Sequence, residues 1–189
     1  MDVVVIDPPA DLIAERQRLG LDNHDEVWDG EYHMVPAASG EHQRTILRLG
    51  MVWYPLAEAA GLEIRHEWNL IPEGEPGWND FRVPDLIVLP PETYSERGAI
   101  GPVALVVEIR SPGDESFLKL PFFERLGVGE VLIIDRDTKV VRRWVNGPDG
   151  LLESAGDGAG RHALNCLPIE LWNEGETLVA LAHGERTEI

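Results

Sequence analysis

The sequence predicts an α/β fold in which helices flank a central pair of strands, with a β-hairpin near the N-terminus. Three observations carry that expectation. Two apolar runs, Leu86-Ile87-Val88-Leu89 and Val103-Ala104-Leu105-Val106-Val107, have the composition of strands covered on both faces. Segments with apolar residues at three- and four-residue steps, the mark of an amphipathic helix, lie before and after that pair. Asp29-Gly30 separates two aromatic-bearing stretches, a strong hairpin signal.

Taken in chain order, Pro8-Pro9 opens a short helix over 10–16 that Gly20 stops. Glu26-Val27-Trp28 and Glu31-Tyr32-His33-Met34-Val35 form the two arms of the hairpin, and residues 37–40 the next loop. A helix over about 41–60 follows, with Ile46, Leu49, Trp53, Leu56 and Ala60 as its apolar stripe. Pro55 is expected to kink or shorten it, because proline breaks a backbone hydrogen bond, and Gly61 closes it. Residues 62–71 alternate, with Leu62, Ile64, His66, Trp68 and Leu70 on one face, as a half-buried strand does. Residues 72–77 are a turn-rich loop.

Core strands are expected at about 83–89 and 103–109, joined by the polar segment 90–102. A helix over 116–126 presents Phe117, Leu120, Phe123 and Leu126; Pro121 is tolerable there only in a first turn. Gly127-Val128-Gly129 ends it. A strand pair, 131–134 and 139–145, encloses the turn 135–138, and short strands are expected at Leu167-Pro168-Ile169 and Leu178-Val179-Ala180-Leu181. There is no internal repeat. The expectation is one domain over 1–189, with its motif core at about 26–144.

The bulk composition bounds the function. A chain of 189 residues with 43% hydrophobic content can build one substantial core. A single cysteine, Cys166, excludes an internal disulfide framework and fits a reducing cytoplasm. The start, Met1-Asp2-Val3-Val4-Val5, lacks the basic region of a signal peptide, and no apolar stretch reaches the roughly 18 residues of a membrane span. A cytoplasmic protein is the expectation. The net charge of −18, from 34 acids and 16 bases, argues against a broad basic surface for nucleic acid. It leaves three routes to DNA: clustered bases, metal ions that neutralise the site, or a partner. It is also compatible with a charge that serves solubility alone.

Two acids stand out because of where the core strands put them. Asp85 precedes one apolar run and Glu108 ends the other, so neighbouring strands of opposite sense bring them together. Two carboxylates suffice for Mg²⁺, which takes oxygen ligands and keeps several waters; Mn²⁺ is a possible substitute. The carbonyl of Ile109 can add a third oxygen. Lys119 on the following helix can orient an attacking water, help to deprotonate it, or stabilise a phosphorane-like charge. The bland readings are a strand cap for Asp85, an ion pair of Glu108 with Arg110 or Arg65, and a solvated Lys119. Possible accessory groups are Glu31, His42 and Arg110, the last a phosphate clamp but a poor base. The remaining histidines show no ligand spacing for zinc. There is no Gly-rich phosphate loop, and Ser111 lacks the glycines of a nucleophile elbow.

The ordered set Val83-Pro84-Asp85-Leu86-Ile87-Val88-Leu89, Val106-Val107-Glu108-Ile109-Arg110-Ser111-Pro112, Lys119 and Gly127-Val128 resembles the Uma-type family of restriction endonucleases in the PD-(D/E)xK nuclease superfamily. Glu26-Val27-Trp28-Asp29-Gly30-Glu31, Pro36 and His42 add to the likeness, which spans about 26–144. The resemblance implies a restriction-endonuclease-like core, a mixed β-sheet flanked by helices, often in a homodimer, with Asp85 and Glu108 holding Mg²⁺. The superfamily lysine two residues after the acid is Arg110 here, and the family's displaced lysine corresponds to Lys119. The chain departs from the family at Ser116, where an acid is usual, at Phe123 in place of Tyr, and at Val131-Leu132 in place of an aromatic pair. The leading expectation is an Mg²⁺-dependent DNA endonuclease. The alternatives are a catalytically inactive nuclease-fold module for dimerisation or recognition, and a hydrolase of another phosphate ester.

Overall fold

The computed structural model describes residues 5–74 and 79–189. The expectations for residues 1–4 and 75–77 lie outside them. The chain begins with β1 (Val5–Ile6), α1 (Ala10–Leu19), β2 (Glu26–Trp28), β3 (Glu31–Met34), α2 (Gly40–Ala59), β4 (Glu63–His66) and β5 (Leu70–Ile71). It continues through β6 (Leu86–Leu89), β7 (Tyr94–Ser95), β8 (Gly98–Ile100), β9 (Leu105–Arg110), α3 (Leu120–Leu126) and β10 (Glu130–Asp135). It ends with β11 (Val141–Gly147), β12 (Gly150–Ser154), β13 (His162–Ala163), β14 (Ile169–Glu174), β15 (Thr177–Ala182) and β16 (Glu185–Glu188).

The centre is a six-stranded mixed sheet in the order β12-β11-β10-β9-β6-β4. β9 and β10 run parallel, while β6 pairs antiparallel with β9 through Leu86↔Val107 and Val88↔Leu105. The two apolar runs alternate between two cores. Leu86, Val88, Leu105, Val107 and Ile109 face one core with Leu49 and Trp53 of α2 and with Leu171 and Leu178 of the β13-β14-β15-β16 sheet. Ile87, Leu89 and Val106 face the other with Phe122 and Phe123 of α3. Each fully buried side chain of this kind contributes about 1.5–3 kcal/mol, so the central sheet is rigid on both faces.

The hairpin β2-β3 forms as expected, in register Trp28↔Glu31, Val27↔Tyr32 and Glu26↔His33. Asp29 (φ 49°) and Gly30 (φ 92°) supply the two left-handed residues that a two-residue hairpin turn requires. α1 ends at Gly20 and α2 begins under a Ser39 cap that accepts the His42 N–H. No helix among the described residues is long and apolar enough to cross a membrane.

Four local expectations are corrected. Pro55 does not shorten α2, which runs on to Ala59; Pro55 and Met51 are both exposed, so the carbonyl that proline leaves unpaired lies on the solvent side. Ala57, not Ala60, completes the buried stripe. The single strand over 62–71 is two strands in different sheets. β6 starts only at Leu86, paired with His66, so the chain loses its partner beyond His66, turns through Glu67 at φ 48°, and pairs with β8 instead. The helix over 116–126 is also divided: a 3-10 turn, Ser116–Lys119, precedes α3, which puts Pro121 in a first turn, where its missing N–H costs nothing. Lys119 therefore sits at a helix entrance rather than one turn inside a helix. The linker 90–102 carries its own short strands, β7 and β8.

Candidate active site

A cavity of about 120 Å³ opens where β6 begins and β9 ends. It is lined among others by Glu26, His42, Asp85, Glu108, Ile109 and Lys119. The antiparallel pairing of β6 with β9 sets Asp85 beside the end of β9. Asp85 Oδ2 accepts the Ile109 N–H at 2.6 Å, and Oδ1 lies 2.9 Å from His42 Nε2. In an extended strand the N–H and C=O of one residue point to the same side, so the Ile109 carbonyl lies on the edge that faces Asp85.

Glu108 stands on the α3 face of β9, 4% exposed. Both of its oxygens lie 3.2 Å from Lys119 Nζ. Neither Arg110 nor Arg65 pairs with it: Arg110 Nη1 bonds Asp135 and its guanidinium lies over Phe117, while Arg65 bonds Glu63. Lys119 makes a second, shorter contact that the sequence reading missed, 2.9 Å to Glu26 Oε1. Glu26 is itself fixed by the Val83 N–H at 2.8 Å and by Trp28 Nε1 at 2.7 Å. The hairpin thus delivers a carboxylate that holds the ammonium from the far side.

The site carries more acid than base, and that excess sets the direction of its pKa shifts. Burial, then the negative charges of Asp85 and Glu26, push the Glu108 carboxyl well above the usual range despite Lys119. Burial alone would lower the Lys119 ammonium, but the pull of Glu108, Glu26 and Asp85 outweighs it and leaves Lys119 raised. His42 follows the same pattern: burial works against its charge, and the bond to Asp85, with Asp85, Glu67 and Asp114 nearby, raises it. All three shifts favour the protonated form, so the pocket draws in positive charge.

Among the described residues, no three His, Cys, Asp or Glu side chains form a preformed metal cage. Two carboxylates, one carbonyl and space for waters form the donor set that suits Mg²⁺ or Mn²⁺, since the cation keeps much of its hydration. The cavity holds more than the roughly 30 Å³ that one water occupies in the liquid. A hard divalent cation also answers the excess of acid, so the residues fit the group.

Other expected residues lie elsewhere. Glu31 is exposed on the outer hairpin arm, 3.8 Å from His33 Nε2, and does not line the cavity. Its neighbour in the turn register, Trp28, stacks on His33 at 4.1 Å. Ser116 does line the cavity and donates to Asp114 Oδ1 at 2.8 Å, so an acid two residues earlier occupies that rim. Phe123, Val131 and Leu132 are core residues remote from the pocket. Glu26 and His33 were legible in principle, because the Asp29-Gly30 turn sets them opposite one another; nothing local in the sequence announces that Glu26 meets Lys119.

The fold is shared with a crystal structure described as a "putative nuclease belonging to DUF820 from Anabaena variabilis ATCC 29413", which superposes with a TM-score of 0.55, at 17% identity, over 69% of this chain and 76% of that one. No curated protein matches the chain. The Uma2 family, described as "Putative restriction endonuclease", matches residues 14–178. The chain belongs to that family.

Proposed function

We propose that the protein is an Mg²⁺-dependent DNA endonuclease that hydrolyses phosphodiester bonds in this cavity. The observation that carries the reading is the convergence of Asp85, Glu108 and Lys119, from three separate elements, on one pocket at the end of the central strands. Membership of a family described as restriction endonucleases supports nucleic acid as the substrate class.

A divalent cation bound there supplies Lewis-acid polarisation of a phosphate oxygen and lowers the pKa of an attacking water. Asp85, Glu108 and the Ile109 carbonyl would hold it. His42 and the Ile109 N–H orient the two Asp85 oxygens. Lys119 stays protonated, so its work is to donate hydrogen bonds and screen charge on the phosphate rather than to act as a base. Glu26 anchors that ammonium independently of Glu108. This division of labour also answers the net charge of −18, because the phosphate is met by the cation and one ammonium rather than by a basic surface.

The test is cleavage of supercoiled and linear DNA of varied sequence with Mg²⁺ or Mn²⁺. Activity in the wild type that disappears in both Asp85→Ala and Lys119→Ala supports the assignment. Cleavage that survives both substitutions overturns it. A second reading, a catalytically silent module, is favoured by one observation: both Asp85 oxygens and both Glu108 oxygens already have partners within the protein. That reading expects no cleavage at any metal concentration.

A further inference from the structure

The cavity is walled, and its walls are joined to one another. Glu26, Trp28 and His33 of the hairpin stand on one side and the segment 111–116 on another, while residues 35–38 add a further lining segment. His33 Nδ1 lies 3.0 Å from Glu115 Oε2, which ties the hairpin to the 111–116 segment. Gln43 Nε2 of α2 donates to Glu67 Oε1 at 2.6 Å, which ties α2 to the chain after β4. The hairpin wall is also stiff. His33 stacks on Trp28 at 4.1 Å, and the Arg82 guanidinium lies 4.5 Å from the centre of the Trp28 ring and 4.1 Å from that of Phe122 in α3. The candidate reacting groups stand behind these walls: Glu108 is 4% exposed, and the side chains of Lys119 and Asp85 are 12% and 16% exposed. The cavity, about 120 Å³, is well below the roughly 300–1,000 Å³ of a pocket for a small organic ligand. It has room for a phosphate group and a cation, and the nucleobases stay outside.

Duplex DNA meets such a site badly on two counts. It is a stiff rod, with a persistence length of about 150 base pairs, so a phosphate reaches a recessed group only if the rod bends or the protein opens. It also carries one charge per roughly 1.7 Å of axis, against about 3.4 Å for one strand. The rim that those charges meet is acidic: Glu67, Asp114 and Glu115 line the cavity, and Lys119 is the only lysine or arginine among the lining residues. A cation held by Asp85 and Glu108 answers the phosphate it touches. The flanking phosphates of a duplex remain within the Debye length of about 8 Å over which rim carboxylates repel them. An unpaired strand turns its backbone, presents one phosphate and carries its neighbours away.

We propose that the cavity selects unpaired DNA. The scissile phosphate enters from a single strand, a gap or a flap, and the His33–Glu115 bridge and the acidic rim hold intact duplex out. The inference rests on the nuclease reading of the cavity and makes Glu115 a specificity-determining residue that touches neither Lys119 nor the two metal-binding acids.

The experiment offers one DNA sequence in three forms, single-stranded, fully paired, and paired with an unpaired gap, to the full chain. Cleavage is followed with Mn²⁺. Binding is followed separately by fluorescence anisotropy with Ca²⁺, which also takes oxygen ligands. The expected result is a kcat/KM at least about 10-fold higher for the single strand than for the duplex, with cuts in the third form confined to the gap, and the same order in anisotropy. Glu115→Ala, which opens the bridge and removes a rim charge, should reduce the preference for unpaired DNA at least about threefold by admitting duplex, as loss of a built-in repulsion does. Glu115→Gln removes the charge alone and should fall between Glu115→Ala and the wild type. Duplex that is cut and bound as well as the single strand overturns the proposal and leaves the nuclease reading standing, as does a preference that Glu115→Ala does not change. Selective binding of unpaired DNA without cleavage of any form supports the selectivity and overturns the nuclease reading. Failure to bind any of the three overturns both.

Discussion

Glu108 and Glu130 are both buried carboxylates on the parallel pair β9-β10, at opposite ends of it, and they have opposite fates. Glu130 is saturated. Its Oε2 takes Arg143 Nε at 2.8 Å and Nη2 at 2.6 Å, and its Oε1 takes the N–H groups of Asn165 at 2.7 Å and Cys166 at 3.0 Å. Glu108 shares one ammonium between its two oxygens and faces a cavity that also holds Asp85 and Glu26. A planar guanidinium and two amides close the first site. The second has a shortage of donors and space for a cation. Burial is nearly the same; the number and geometry of donors separates a saturated carboxylate from one left open to a cavity.

That contrast is broken most forcefully at Glu130. Glu130→Ala leaves Arg143 buried without its partner and should cost about 3–5 kcal/mol in urea unfolding; a loss under about 1 kcal/mol removes its structural role. At Glu108 the balance reverses. Glu108→Gln should lower metal-dependent cleavage by about 10²–10³-fold while leaving the melting temperature of the metal-free protein unchanged or higher, because a destabilised buried charge is gone.

Glu26→Gln touches the reaction only through Lys119. It should lower kcat by about 10- to 100-fold, the range for a residue that positions a reacting group. KM should change little, and partial activity should remain, unlike in Lys119→Ala. The smallest effect is the pH dependence. A carboxyl whose folded pKa lies above its unfolded value contributes stability below the unfolded pKa and loses it as pH rises through the folded pKa. The metal-free wild type should therefore lose stability relative to Glu108→Gln as pH rises past the ordinary carboxylate range, by at most about 1.4 kcal/mol per pH unit. Thermal melts of the two proteins in parallel pH series measure it; curves that stay parallel contradict a raised Glu108.

The same contrast explains what the sequence made legible. The hairpin, α2 and the two core strands follow from turn chemistry and periodicity, which act over a few residues. Asp85 and Glu108 were visible because an acid at the end of an apolar run is conspicuous. Glu26 was not: it meets Lys119 across 93 positions of chain, a contact made by the docking of the hairpin against the central sheet. Glu31 and Arg110 failed for the complementary reason. Each stands near a site residue in sequence, but one occupies the solvent side of the hairpin and the other finds Asp135 on the neighbouring strand. The break at Glu67 depends on where β6 begins, which no pattern within 62–71 records.

The central claim is that Asp85 and Glu108 share a divalent cation in a pocket that otherwise gathers protons. Titration of the metal-free protein with Mn²⁺, by calorimetry in two buffers of different ionisation enthalpy, tests it directly. The account predicts one site whose binding releases protons, because the raised carboxyl must ionise, and which vanishes in Asp85→Asn and in Glu108→Gln. Absence of binding in the wild type, or binding that persists unchanged in both variants, contradicts it.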